Sequence, residues 1–272
     1  VSEATEAAEA RGRSVVWAFA VGAAVGLVGG LVGLGGAEFR LPLLIGVFGF
    51  AALSAVILNK AMSLVVVVAA IPARLFAVPL TEVVDHWEIA VNLLIGSLVG
   101  AWVGASWATR MGTARLYRVI AVLLVGIAVV FAASHWGVLP DPGLTGVGLF
   151  VVGVLAGFLI GVVAAVMGVA GGELLIPTIT VLYAVDVKLA GSLSLLVSLP
   201  TMLVAFFRYS RDQAFEVLRA YPGFVVAMAA GSIAGTVVGG LLLGVVPSAV
   251  IMPLVVALLL ASAWKVWRHA SE

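Results

Sequence analysis

Glu38, Arg40, Lys60 and Glu173 stand inside or beside long apolar stretches of a chain that has few charges. An ionised group at the centre of a bilayer costs about 2.5–3.5 kcal/mol on insertion scales, so residues placed there are functional candidates by default. Both glutamates follow a cluster of glycines and precede a proline by four residues: Gly33-Leu34-Gly35-Gly36-Ala37-Glu38-Phe39-Arg40-Leu41-Pro42 and Gly168-Val169-Ala170-Gly171-Gly172-Glu173-Leu174-Leu175-Ile176-Pro177. Glycine lets an apolar helix unwind, and proline is tolerated in the opening turns of the helix that follows. Each break then exposes free N–H groups at the positive end of a new helix dipole, a ready site for an anion. Gly35, Gly36, Ala37, Gly171 and Gly172 are the backbone candidates. Arg40 and Lys60 would supply positive charge, and Asn59, Ser63, Ser194 and Ser198 hydrogen bonds. Ser192 and Thr201 lie close by in sequence, although any of these hydroxyls can instead bond its own helix.

The two glutamates have three readings that the residues leave open. They stabilise the start of a helix, as acids in a first turn do; they pair with Arg40 or Lys60; or they carry protons. Arg40 and Lys60 meet Leu175 and Leu195 in the second half, so the first half supplies the charge for a ligand. Arg74, near the other end of its apolar run, would attract an anion at an outer mouth, and Arg208 would anchor a helix end.

The rest of the sequence must position these groups. Of 272 residues, 64% are hydrophobic and 10% charged, against about 45–50% and about 25% in a soluble domain. Lipid must therefore be part of the solvent. Net charge is +1, giving no reason to expect nucleic acid, and the chain has no cysteine and three histidines. Those histidines, His86, His135 and His269, fall between apolar runs or at the end, which leaves no metal or cofactor site at membrane depth. No serine–base pair suits an intramembrane enzyme, and no phosphate-binding P-loop is present.

Apolar runs long enough to span occur at about 14–35, 54–79, 87–109, 115–134, 144–169, 188–207, 220–243 and 247–266, with shorter runs at about 37–50 and 173–184. The reading is an all-α, polytopic integral membrane protein with about eight long transmembrane helices and two half-helices. Residues 1–14 read as a disordered cytoplasmic leader, 15–134 as a first repeat, 135–143 as an extracytoplasmic linker and 144–272 as a second repeat with a short cytoplasmic tail. Basic clusters at Arg11/Arg13, Arg110/Arg115/Arg118, Arg208/Arg211/Arg219 and Lys265/Arg268 alternate with acidic or neutral loops. Placing them in the cytoplasm puts both termini inside and gives five elements per half, so the halves run in opposite senses.

The halves align at a constant offset of 135 residues. Gly22, Gly26, Gly33, Gly36, Glu38 and Pro42 meet Gly157, Gly161, Gly168, Gly171, Glu173 and Pro177. Further on, Ser63 meets Ser198, and Gly96-Ser97, Gly100 and Gly104 meet Gly231-Ser232, Gly235 and Gly239. One register held this long marks a duplication. Glycine at every fourth residue lets helix backbones approach closely in lipid.

GLVGLGGAEFRLPLL and GVAGGELLIPTI, at the same repeat position, resemble the TauE/SafE sulfite exporter family, also called the toluene-sulfonate uptake permeases. The resemblance covers about residues 15–266. It implies a secondary transporter of the bacterial cytoplasmic membrane that moves sulfur-containing anions such as sulfite, thiosulfate, sulfoacetate and other sulfonates, with some members exporting and others importing. Its partners would be a small anionic substrate, the lipid bilayer and protons carried by Glu38 and Glu173. Family members show a third glycine and then an apolar residue in the break; Gly-Gly-Ala-Glu and Gly-Gly-Glu depart from that. Another small anion, or an anionic lipid carrier, would suit the same scaffold.

Overall fold

The computed structural model describes residues 15–32, 35–135, 143–242 and 248–270, with backbone alone at 32, 73–77, 131, 134–135 and 248–252. The expected leader 1–14, most of the linker 135–143, Gly33 and the side chain of Arg74 lie outside the described residues. Within them the chain is helical throughout, with no strand.

The helices of the first half are α1 (Val15–Val32), α2 (Ala37–Gly46), α3 (Ala52–Ala77), the short α4 (Leu80–Asp85), α5 (Trp87–Ala108) and α6 (Thr113–His135). Those of the second half are α7 (Gly146–Met167), α8 (Gly172–Tyr183), α9 (Val187–Tyr209), the single turn α10 (Val217–Ala220) after a 3₁₀ turn, α11 (Pro222–Leu242) and α12 (Ser248–His269). Adding 135 to the first residue of α2, α3, α5 or α6 gives the first residue of α8, α9, α11 or α12. The duplicated glycines therefore accompany duplicated element boundaries. Six helices are long and apolar enough to cross a membrane among the described residues: Ala52–Pro72, Trp87–Ala108, Thr113–Val130, Gly146–Met167, Val187–Tyr209 and Pro222–Leu242. The chain is a multi-pass membrane protein.

The most extensive pairings join the two halves. α1 lies along α11 and α5 along α7. The glycine ladders explain the closeness. A Cβ on Gly96 or Gly100 would overlap the carbonyl oxygens of Val154 and Phe158, and one on Gly157 or Gly161 those of Leu93 and Ser97. On the other seam, Gly22 and Gly26 press on Met228 and Ser232, while Gly231 and Gly235 press on Phe19 and Ala23. Between these pairs α3 and α9 run through the interior, carrying the buried Asn59, Lys60, Ser63, Ser194 and Ser198.

Helix ends sort by charge. The end of α9 meets the end of α5, where Arg208 donates to Ser106 and Thr109. Tyr117 at the start of α6 meets His269 at the end of α12, and the C-terminus of α2 reaches Lys265. Opposite them, α8 ends at Tyr183, whose hydroxyl accepts from Asn92 at 2.7 Å. That end carries Glu82, Asp85, Glu88 and Asp186, with a single lysine, Lys188, beside them. The two half-helices thus leave the interior toward opposite ends, α2 to the basic one and α8 to the acidic one.

Candidate functional site

Both half-helices start from a glycine in the left-handed region. Gly36 has φ 69° and ψ 14°, and Gly171 has φ 85° and ψ 4°. A side chain would be strained at either. The helical bonds begin with Phe39 and Arg40 donating to the Gly36 carbonyl, and with Leu174 and Leu175 donating to that of Gly171. The N–H groups ahead of them lack a helical acceptor, as at any helix start. The prolines stand in the second turn, within the opening turns expected for them: Pro42 and Pro177 are each the sixth residue of their helix. There each removes the N–H that would have reached the carbonyl four residues back, which belongs to Glu38 or Glu173.

Arg40, with 0% exposure, projects from the first turns of α2 into a cage of neutral side chains. Its Nε donates to Asn59 Oδ1 at 2.8 Å, one terminal nitrogen to Ser232 Oγ at 3.0 Å and the other to Ser63 Oγ at 2.8 Å. Asn59 donates in turn to the carbonyls of Ala37 at 3.0 Å and Met167 at 3.2 Å. One amide therefore ties the start of the first half-helix to the bend before the second. Lys60, also at 0% exposure, donates to the carbonyls of Ala164 at 2.8 Å and Val169 at 2.6 Å. Ser63 approaches Gly168 O at 3.4 Å.

The bend itself is the C-terminus of α7. Gly168, at φ 69°, lets Val169 N–H reach back to Ala164 and its own N–H to Ala165, the pattern of a Schellman cap. The carbonyls such a terminus leaves exposed are met by side chains: Lys60 at 164 and 169, Tyr209 at 165 with 2.8 Å, and Asn59 at 167. A cation here also complements the negative end of the α7 dipole.

The acids behave differently. Glu38 and Glu173 are 1% and 4% exposed. Both oxygens of Glu38 and Oε2 of Glu173 have no hydrogen-bond partner. Of the three readings left open, pairing with Arg40 or Lys60 is not made by Glu38, since neutral oxygens surround both cations. On the second-half side, Ser194 bonds Gly191 O at 2.8 Å, Ser192 bonds Lys188 O at 3.4 Å and Thr201 bonds Val197 O at 2.6 Å, each within its own helix. Ser198 Oγ has no partner. No hydrogen bond among the described residues joins Ser194, Ser198, Gly171 or Gly172 to the Arg40 cage. Gly35 and Gly36 border it through Ala37.

Sequence reasoning missed Ser232 and Tyr209. Ser232 had a signal, since Ser97 and Ser232 repeat beside the glycine ladder, where small size explains them equally well. Ser97 instead bonds Thr201 Oγ1 at 2.8 Å. Tyr209 stands in the basic Arg208–Arg211 segment, and its backbone acceptor has no sequence mark. No group of histidine and acidic side chains among the described residues is arranged to hold a metal.

The cage is closed. Arg40, Asn59, Lys60 and Ser232 are wholly buried, and the grooves of about 390, 350 and 180 Å³ elsewhere are not lined by Arg40, Lys60 or Glu38. The smallest, beside Ile71, Ser192 and Leu199, does reach Leu195, the counterpart of Lys60.

A family model described as "Sulfite exporter TauE/SafE" matches residues 2–131 and 152–272, one stretch in each half. The chain belongs to the TauE/SafE sulfite exporter family. The TauE/SafE match takes in both glycine breaks and every residue of the Arg40 cage. No curated protein and no solved structure matches the chain. Membership assigns this multi-pass membrane protein to a family of transporters.

Proposed function

We propose that this chain is a secondary transporter that moves a small sulfur-containing anion, such as sulfite, thiosulfate or a sulfonate, across the cytoplasmic membrane. The observation that carries the reading is the pair of cations, Arg40 and Lys60, held at the meeting point of the two helix breaks with no carboxylate among the described residues bonded to either. Buried charge is normally paired. Two guanidinium N–H groups and one ammonium N–H remain uncommitted beside the unserved N–H groups that begin α2. A tetrahedral or pyramidal oxyanion suits such donors, and a guanidinium meets its oxygens two at a time.

The matching element boundaries, with half-helices leaving toward opposite ends, support a pair of inverted repeats with both termini in the cytoplasm. Residues 15–134 and 144–272 form the repeats. Transport then consists of one repeat moving against the other about the breaks, the usual plan for such architectures. The closed cage is the occluded state of that cycle. Glu38 and Glu173, buried without donors for three of their four oxygens, take up and release the coupling protons. Gly35, Gly36 and Ala37 give the first backbone edge of the site, and Gly171 and Gly172 the second, with Ser194 and Ser198 facing the ligand when the repeats move.

The test is thermal stability of detergent-solubilised protein with sulfite, thiosulfate, sulfoacetate, sulfate, acetate and phosphate at matched ionic strength. A ligand that binds only the folded state raises the melting temperature. Selective stabilisation by a sulfur anion, lost in Arg40→Gln, is expected. Stabilisation by acetate or phosphate alone would keep the transporter and discard the substrate.

A further inference from the structure

A second cationic site stands apart from the cage, at the basic end, where the last turns of α5 and α9 meet. Arg208 is fixed there: its Nε donates to Ser106 Oγ at 2.8 Å and a terminal nitrogen to Thr109 Oγ1 at 3.4 Å. Its guanidinium carbon stands 5.9 Å from the centre of the Trp102 ring. Arg211, one turn on and exposed, lies over the same ring at 5.6 Å and over Phe207 at 4.7 Å. Trp102 and Phe207 are themselves open on the outer surface of the helix pair, at 39% and 55% exposure.

Two guanidiniums thus share an aromatic shelf on the surface that faces lipid. No carboxylate bonds either among the described residues. The nearest acid in sequence, Asp212, turns its Oδ1 to the Ala214 N–H instead. Stacking on rings holds a guanidinium flat and leaves its edge N–H groups free. Trp102 lies nearly two turns inside the end of α5, so stacking on it draws the charges toward the apolar stretch of the helix. Arginine donors above, with an apolar wall of Trp102 and Phe207 below, fit an amphiphile with an anionic head.

We propose that this corner binds an anionic phospholipid, its phosphate between Arg208 and Arg211 and its chains along Trp102 and Phe207. Basic recesses between transmembrane helices are suited to such head groups. The bound lipid would brace α5 against α9, and so one repeat against the other.

The test is the melting temperature of delipidated protein in neutral detergent, titrated with phosphatidylglycerol, with phosphatidylcholine, or with glycerol phosphate. Phosphatidylglycerol should raise it several degrees more than phosphatidylcholine. Arg211→Gln should remove at least half of that difference without changing the lipid-free value, because Arg211 is exposed and makes no hydrogen bond among the described residues. Trp102→Leu should weaken it as well, whereas Arg118→Gln, in the first turns of α6, should leave it intact. Equal responses to the two lipids, or an undiminished difference in Arg211→Gln, would overturn the site. A full response to glycerol phosphate would overturn a lipid as its occupant.

Discussion

Lys60 is held by main-chain oxygens of the other half. An ammonium in the middle of an apolar helix suggests a ligand contact, yet two of its three donors are held by the carbonyls of Ala164 and Val169. Lys60→Met keeps the volume and leaves those oxygens short of a donor. An unmet buried acceptor costs about 1–3 kcal/mol, so the variant should melt at lower temperature with or without an anion. Unchanged stability together with weaker anion binding would make Lys60 a ligand residue alone. Glu38 has no such anchor. Glu38→Gln and Glu173→Gln should each keep the fold and flatten the pH dependence of transport measured in proteoliposomes. Wild-type pH dependence in both variants would remove the glutamates from proton coupling.

Among the elements, the breaks and the ladders were legible because glycine and proline act through the backbone, locally. Gly36 and Gly171 take up the left-handed geometry on which both half-helices start, and the offset of 135 recurs in the element boundaries. The cage was legible only in part. Arg40 sits one helix turn from a break and Lys60 inside an apolar run, so charge and depth single them out, with Asn59 and Ser63 as the polar neighbours of Lys60 on α3. Ser232, 192 residues from Arg40, is brought there by the α1–α11 seam, which sequence spacing does not encode. Lys60 and Tyr209 find main-chain oxygens, which every residue has, so nothing in the sequence distinguishes those partners. The ladders also support a paired prediction. Gly100→Ala drives a methyl into the carbonyl of Phe158, and overpacking of this kind costs about 1–3 kcal/mol. Gly126 in α6 has nothing within 4 Å of an added Cβ, and alanine is better than glycine in a helix by about 1 kcal/mol. Gly100→Ala should therefore lower the melting temperature and Gly126→Ala hold or raise it. The same sign for both would mean that close helix approach does not limit stability.

At the scale of the whole molecule, each half keeps its glycine seams for the other. Gly22 and Gly26 on α1 press on α11, and Gly96 and Gly100 on α5 press on α7. The polar core is shared in the same way, since Arg40 reaches across to Ser232, and Asn59 and Lys60 to the end of α7. A half expressed alone would keep its helices, because their backbone bonds are internal and lipid suits their side chains. It would lose both seams and leave Arg40 and Lys60 with few acceptors at a depth where water is absent. Two chains divided between Pro140 and Asp141 should therefore be recovered as a complex when made together, with a tag on one retaining the other. Each made alone should be degraded or run as an aggregate on size exclusion. Co-purification would be reduced by Gly96→Leu or Gly26→Leu, which fill one seam each, and spared by Gly126→Leu, which points into open space. If the first half alone ran as a monodisperse monomer, the interlocked seams would not be what holds the fold together. Arg40 would then keep only Asn59 and Ser63, the two partners from its own half, and lose Ser232.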